Sequence, residues 1–250
     1  MEALLMLLLP HLLLLARVTA FFAVLPLFGW AYAPNIVRLG LALVMTFFLA
    51  KQFPAVLPHL PAGLLSPAIL LVCEILCGLA LGLAVRLVFQ AVQQGGFIIA
   101  QQMGMTDAGV VDPISGEDAV SVAMFFEIVF AVMFLAAQGH HLLLGFIGGS
   151  FRKFPVGTYP SPAAMAGALM TAGSTMLLFA LKLAAPAVAA FLVLSFLLGM
   201  LARALPDLNI FFDSFPLRVG LGLFLCAAMM PLLNTFTADM AEWMRRFFES

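Results

Sequence analysis

Long apolar stretches with almost no charge are the feature that most limits what this chain can fold into. Between residues 163 and 205 only Lys182 and Arg203 are charged. Of the 250 residues, 64% are hydrophobic and 9% are charged, against about 45–50% and about 25% in soluble domains. Polar residues are therefore too few to cover a soluble core, which excludes a soluble enzyme and a disordered tail. A net charge of −1 gives no basic surface for nucleic acid.

These stretches are predicted to be α-helices. Hydrocarbon offers no hydrogen-bond partners, so a segment that crosses a membrane must satisfy its own backbone. Membrane β-barrels do this with short strands of alternating polarity, whereas the apolar stretches here are long and continuous. The expected fold class is an all-α, polytopic membrane protein.

About six apolar segments, broken by Pro and Gly into helical hairpins, are predicted within a single domain over residues 1–250. The third is expected to continue past Gly95-Gly96 towards Met105, the fourth to end at Gly148-Gly149, and the fifth to kink or divide at Gly173 or Pro186. The first is interpreted as a retained helix and not as a signal peptide, because no basic residues precede it. A polar loop at about residues 106–121 separates the third and fourth segments. The six segments are predicted at residues 3–30, 36–50, 68–94, 122–146, 163–205 and 217–236, followed by a polar tail.

A polar stripe follows the third segment at helical spacing. Arg86, Gln90, Gln93 and Gln101, together with Phe97, are separated by three or four residues, so they share a face if one helix continues through them. Polar groups in membrane segments are costly and mark functional surfaces. The stripe is interpreted as lining a pore or facing another subunit. The alternative is a helix end whose side chains reach the membrane surface.

Three ionisable residues lie within apolar segments and are candidates for buried charges: Glu74, Glu127 and Lys182. A buried carboxylate needs a counter-charge, so Glu127 is expected to pair with Arg86 or Lys182. A proton relay on the Glu127 face, which would also hold Gln138 and His141, is the alternative. Glu74 and Arg86 are about 18 Å apart along a helix and cannot pair within it.

No catalytic or metal-binding pattern is found. The sequence contains no G-x-S-x-G elbow, no H-E-x-x-H and no Walker loop, so no enzymatic activity, cofactor or metal is expected. Cys73, Cys77 and Cys226 are interpreted as small core residues. Gly78 and Gly82 form a G-x-x-x-G pattern that predicts close helix packing.

Several blocks of sequence resemble one known family, in order and over nearly the whole chain. The central block is Gln102-Met103-Gly104, followed by Ala108, Asp112-Pro113 and Ser115-Gly116. The others are Pro26-Leu27-Phe28-Gly29 with Pro34 and Arg38, the run from Phe179 to Pro186, Leu208-Asn209-Ile210-Phe211, and Phe215-Pro216-Leu217-Arg218. The chain is identified as a member of the FliR family of type III export membrane proteins, whose injectisome homologues are called SctT, SpaR or EscT.

The resemblance implies a non-enzymatic core subunit of a helical export-gate complex. Its partners in the family are FliP-like and FliQ-like subunits, with FlhB-like and FlhA-like export proteins at the cytoplasmic side, and unfolded proteins pass through the channel. The location implied is the bacterial inner membrane, as a multi-pass protein of the flagellar basal body. The flagellar branch is favoured because the central loop resembles that branch more closely, and the injectisome SctT branch is the alternative.

The resemblance also implies that the central loop is a channel plug. Thr106-Asp107 depart from the small, apolar or aromatic residues that the family has after the Gly. The plug candidates carried over by position are Gln102, Met103, Gly104, Ala108, Asp112, Pro113, Ser115 and Gly116.

Two other classes of function remain as alternatives. A stand-alone transporter or channel would need an internal repeat with paired broken helices, and the two halves of the sequence show no convincing repeat. A membrane enzyme would need a nucleophile and a base in register, which the sequence does not show.

Overall fold

The computed structural model describes residues 2–25, 34–52, 65–105, 121–157, 162–204 and 210–246. These residues form eight α-helices and no strand, which confirms the predicted all-α membrane fold. In chain order the helices are α1 (Glu2–Val24), α2 (Asn35–Gln52), α3 (Leu65–Gln102), α4 (Ser121–Ala136), α5 (Gly139–Lys153), α6 (Pro162–Ala204), α7 (Ile210–Ala228) and α8 (Met230–Arg246).

Two of these helices are long and apolar enough to cross a membrane by themselves. They are the parts of α3 and α6 at Pro67–Gln102 and Met165–Ala204. Two bent pairs, α4 with α5 and α7 with α8, bring the number to four if each pair counts as one span. The six predicted apolar segments therefore correspond to α1, α2, α3, the α4–α5 pair, α6 and the α7–α8 pair.

The fourth predicted segment is wrong in two details. It is broken at Gln138, whose φ of 60° is left-handed, so α4 ends at Ala136 and α5 begins at Gly139. The predicted end at Gly148-Gly149 is also wrong, because α5 continues through both glycines to Lys153. A helix tolerates interior glycines at a cost of about 1 kcal/mol each.

The last predicted segment is also divided. α7 begins at Ile210 and contains Pro216, so the predicted start of this segment at residue 217 is wrong. A break follows at Met229, and the two helices are bent by 51°. Pro231 lacks an N–H and its ring clashes with the preceding turn, which is the ordinary cause of such a break. By contrast, α6 is continuous through Gly173 and Pro186.

The chain groups into two compact units. Unit 1 comprises Met1–Val88, Gln138–Ser174 and Ala241–Ser250, and unit 2 comprises Phe89–Ala137 and Thr175–Met240. The single domain predicted over residues 1–250 stays a prediction.

Unit 1 is built around close contact between α1 and α3. A Cβ on Gly78 would overlap the backbone oxygen of Arg17 and lie 2.9 Å from the Cβ of Ala20. A Cβ on Gly82 would lie 2.8 Å from the backbone oxygen of Phe21. Only glycine allows the two backbones to approach this closely. The packing role predicted for the G-x-x-x-G pattern is therefore confirmed.

Unit 2 has an aromatic core. Phe89, Phe130, Phe134, Phe179 and Phe236 pack with ring centroids 5.1–6.0 Å apart, mostly edge to face. Such pairs stabilise by about 0.5–1.5 kcal/mol beyond the area they bury. The second half of α3 is thereby held against α4, α6 and α8 within this unit.

Candidate functional site at the end of helix α3

The last turn of α3 ends in a glycine with a left-handed backbone. Gly104 has φ +77°, and its N–H donates to the carbonyl of Gln101 at 3.0 Å. The N–H of Met105 donates to the carbonyl of Ala100 at 3.1 Å. These two bonds form a Schellman cap, which favours glycine at the left-handed position. The glycine of the Gln102-Met103-Gly104 block is therefore required by the way α3 stops.

One carbonyl at this helix end depends on a side chain. A helix leaves its last four carbonyls without partners inside the helix. Three of these carbonyls accept hydrogen bonds from backbone N–H groups. The N–H groups of Met103, Gly104 and Met105 donate, in that order, to the carbonyls of Ile99, Gln101 and Ala100. The remaining carbonyl belongs to Gln102. It accepts a hydrogen bond from Nη1 of Arg218, on α7, at 3.2 Å.

Arg218 also reaches a third helix. Its Nη2 donates to Oγ of Ser195, on α6, at 3.3 Å, so one guanidinium joins α7 to both α3 and α6. A cation beside the carbonyl end of a helix is favourable by about 0.3–1 kcal/mol where it is exposed. The charge of Arg218 and the partial negative charge at the end of α3 therefore attract each other.

Met103 is held in a notch on α7. Its side chain is fully buried and lies directly over Gly222, where a Cβ would overlap Cγ and Sδ of Met103 and lie 2.7 Å from Cε. The missing side chain at residue 222 therefore creates the space that Met103 fills. Arg218 and Gly222 are one helical turn apart, so α7 contacts the end of α3 through two adjacent positions.

The structure thus describes three of the eight predicted plug residues. Gln102, Met103 and Gly104 form the base of the central loop. The other five, Ala108, Asp112, Pro113, Ser115 and Gly116, lie outside the described residues, and their role stays a prediction.

The polar stripe lies on one continuous helix, as its spacing requires. α3 runs unbroken from Leu65 to Gln102. Arg86, Gln93 and Gln101 are exposed, and Gln90 is partly exposed. Gln94, which was not among the predicted residues, is exposed as well. An exposed polar surface therefore follows a helix that is long enough to cross a membrane.

Glu74, one of the three predicted buried charges, is buried and paired. Its side chain lies in unit 1, where Oε2 is 2.5 Å from Nε of Arg17 on α1. Its other oxygen accepts a hydrogen bond from the N–H of Gly157 at 2.9 Å. Nη1 of Arg17 donates to the carbonyl of Phe154 at 2.8 Å. The ion pair therefore ties the turn after α5 to both α1 and α3.

The other two predicted charges are placed differently. Lys182 is exposed, with Nζ 5.6 Å from the centre of the Phe179 ring, so within this chain it is not a buried charge. Glu127 is partly buried on α4. Because the left-handed turn at Gln138 interrupts the helix, the expected face shared by Glu127 and His141 does not form.

Arg17, Arg218 and Gly222 were not predicted from the sequence as site residues. The sequence did contain a signal for Arg17. Arg17 is the one charged residue between positions 3 and 30, and Glu74 is the one acidic residue between positions 68 and 102. Each therefore needed a partner from another helix. Arg218 belongs to a block that supported the family resemblance, but no spacing in the sequence joins it to Gln102, 116 residues away.

Sequence comparison with known proteins gives matches that extend along almost the entire chain. The sequence model of the family "Bacterial export proteins, family 1" matches residues 8–244. The flagellar biosynthetic protein FliR of Escherichia coli K12 is 36% identical over 222 residues, covering 89% of this chain and 84% of the relative. FliR of Bacillus subtilis 168 is 32% identical, covering 89% and 86%. FliR of Pectobacterium carotovorum is 31% identical, covering 88% and 84%.

Proposed function

Because the chain belongs to the family of bacterial export proteins that includes FliR, we propose that it is a non-enzymatic core subunit of the flagellar type III protein export gate. In this role it lines and plugs the channel through which unfolded proteins are exported. The match over residues 8–244 carries the proposal. The relatives named above are flagellar proteins, which favours the flagellar branch over the injectisome.

The polar face of α3 supports a channel-lining or subunit-facing role. Gln93, Gln94 and Gln101 are exposed on a helix of membrane-spanning length. An amide against lipid would lose its hydrogen bonds at a cost of several kcal/mol. This face therefore lies against water or another protein in the membrane, not against lipid. The partners proposed are FliP-like and FliQ-like subunits, with FlhB-like and FlhA-like proteins at the cytoplasmic entrance.

The central loop is proposed as the plug. It begins at Gly104, where the left-handed backbone turns the chain out of α3, and it precedes α4, which begins at Ser121. The base of the loop is fixed by the buried Met103 and by the bond from Arg218 to the Gln102 carbonyl. The proposed role of the loop is to fill the resting channel until an incoming polypeptide displaces it.

The protein is proposed to reside in the bacterial inner membrane as a multi-pass subunit of the flagellar basal body. Support comes from the two apolar helices of spanning length and from the bent pairs that bring the number to four. The exposed side of α6 is apolar at Leu177, Leu181, Leu192 and Phe196, which suits lipid or an apolar subunit surface.

Replacing Gly104–Gly116 with a short flexible linker tests the plug. The expected result is a complex that still assembles but makes the inner membrane permeable to small ions, because the resting channel is no longer filled. The matched control is the same linker in place of residues 53–64, between α2 and α3, and it should leave the membrane tight. An assembled variant with an ion-tight membrane would contradict the plug proposal.

A further inference from the structure

We infer that Arg218 and Gly222 are positioning residues that fix the point at which the chain leaves α3 for the central loop. Together with the Gln102 carbonyl and Met103 they form what we call the α3 latch. The inference rests on the proposed plug function, because it gives the base of that loop a fixed place. It adds two residues that neither the family resemblance nor the sequence spacing assigns to the loop.

The hydrogen bonds at the end of α3 support a positioning role for Arg218. Backbone N–H groups satisfy the carbonyls of Ile99, Ala100 and Gln101, and the Gln102 carbonyl takes its bond from Arg218. The same guanidinium reaches Ser195 on α6. A planar guanidinium carries its donors on separate nitrogens held in a fixed fork, whereas the donors of lysine all belong to one nitrogen. Arginine at this position can therefore hold α3 and α6 to α7 at the same time.

The fit of Met103 to α7 supports a role for Gly222. A methyl group at residue 222 would overlap Met103 at Cγ as well as at Sδ. Because Cγ is included, a movement of the distal end of the side chain is not enough, and the whole side chain must turn about its first torsion. Met103 is fully buried, so no open space receives the rotated side chain and we expect the last turn of α3 to shift.

The latch lies directly beside the turn by which the chain leaves α3. Met103 and the Gln102 carbonyl are held to α7, and the next residue, Gly104, has the left-handed backbone that makes the turn. A Cβ on Gly104 would have only one neighbouring atom within 4 Å among the described residues, Cδ2 of Phe215 at 3.9 Å. The latch and the capped turn that leads into the central loop are therefore adjacent in sequence.

The first experiment compares two glycines on the same helix. Gly222→Ala fills the notch, while a Cβ on Gly220 meets nothing within 4 Å, so Gly220→Ala adds the same methyl group without touching Met103. Both variants gain the same helix propensity. The measurement is small-ion permeability of membranes that contain equal amounts of assembled complex. The latch predicts a leak for Gly222→Ala and wild-type tightness for Gly220→Ala.

Exchanging the sizes of residues 103 and 222 distinguishes a specific effect on the latch from a general loss of stability. Met103→Ala empties the notch and should also leak, because the end of α3 loses its anchor. Combining Met103→Ala with Gly222→Ala puts a methyl group into the vacated space and should restore part of the tightness. A double variant that leaks as much as the two single variants combined would contradict the inference, because unrelated defects add.

Arg218 gives an independent test that does not depend on packing. Arg218→Met removes the bonds to Gln102 and Ser195 and should raise resting ion permeability about tenfold or more, because the charge-assisted bond to the Gln102 carbonyl alone corresponds to about that factor. Arg218→Lys keeps the charge, but its single nitrogen cannot occupy the positions of both Nη1 and Nη2, so we expect one of the two bonds to be lost and the leak to be intermediate. If Gly222→Ala fails to accumulate, the Arg218 pair decides the question.

The outcomes distinguish the inference from the proposed function. The inference about the latch is overturned if the Gly104–Gly116 replacement leaks ions while Gly222→Ala and Arg218→Met both remain tight. The plug proposal is unaffected by that result. If the replacement is tight, the plug itself is overturned. Leaks from the replacement, Gly222→Ala and Arg218→Met, with a tight Gly220→Ala, are the expected result.

Discussion

Nε of Arg17 lies 2.5 Å from Oε2 of Glu74, and both side chains are almost completely shielded from solvent, at 0% and 2% exposure. The pair is extended by hydrogen bonds to the backbone at Phe154 and Gly157. The guanidinium also stacks 4.6 Å from the centre of the Phe151 ring. Two charges that are each costly to bury are thus used to join α1, α3 and the turn after α5 within unit 1.

Glu74→Gln is predicted to destabilise the protein strongly. The substitution leaves Arg17 charged and buried without its counter-charge, which typically costs about 3–5 kcal/mol. The control is Glu242→Gln, because Glu242 also pairs with an arginine, Arg246, but both side chains are exposed at 62% and 72%. Exposed pairs contribute about 0–1 kcal/mol. Thermal denaturation of the purified complex in mild detergent measures the loss of stability in both variants. Equal decreases in the melting temperature would contradict the structure.

Gly78→Ala is predicted to push α1 away from α3. The added methyl group would overlap the backbone of Arg17, and backbone cannot move aside as a flexible side chain can. Overpacking of this kind costs about 1–3 kcal/mol. Gly40→Ala on α2 is the control, since nothing lies within 4 Å of a Cβ there. Resistance to proteolysis in the membrane should fall for the first variant only, and an unchanged Gly78→Ala would argue against the close contact.

Gln93→Leu is predicted to weaken association with neighbouring subunits while leaving the fold of the chain intact. The side chain is exposed, so its loss creates no cavity, but a partner's polar group would lose its bond. Interhelical polar contacts in membranes average about 0.6 kcal/mol, which corresponds to about a threefold change in binding. Leu83→Met, an exposed apolar position on the same helix, is the control. Equal recovery of partner subunits with both variants would show that the polar face is not an interface.

Much of the fold follows from the sequence because the membrane limits the choices. Continuous apolar stretches can be only helices, and the spacing of Gly78 and Gly82 already indicated where two helices approach. The breaks were harder to place. Gln138 adopts a left-handed backbone that glycine and asparagine favour more, and the neighbouring Gly139 is a signal that does not by itself end a helix. Pro186, in contrast, looked like a break and lies inside a continuous α6.

The sites were predicted less well, because they depend on contacts between residues far apart in sequence. The steps of three and four residues correctly placed Arg86, Gln90, Gln93 and Gln101 on one helix. The partner of Glu74 could not be derived from local spacing, since Arg17 is 57 residues away. Likewise, the glycine at residue 104 could be recognised in its block, but its neighbours Arg218 and Gly222 are known only once α7 is placed.

The central claim, that the chain is a subunit of a flagellar protein export gate, is tested most directly by identifying what it is bound to. The tagged full-length chain, expressed at its native level, is purified from bacterial membranes in mild detergent, and its companions are identified and quantified by mass spectrometry. We predict that FliP-like and FliQ-like subunits are recovered with it in fixed ratios, and that their sequences are of the flagellar branch. Recovery of the chain alone, or with unrelated membrane proteins only, would contradict the claim.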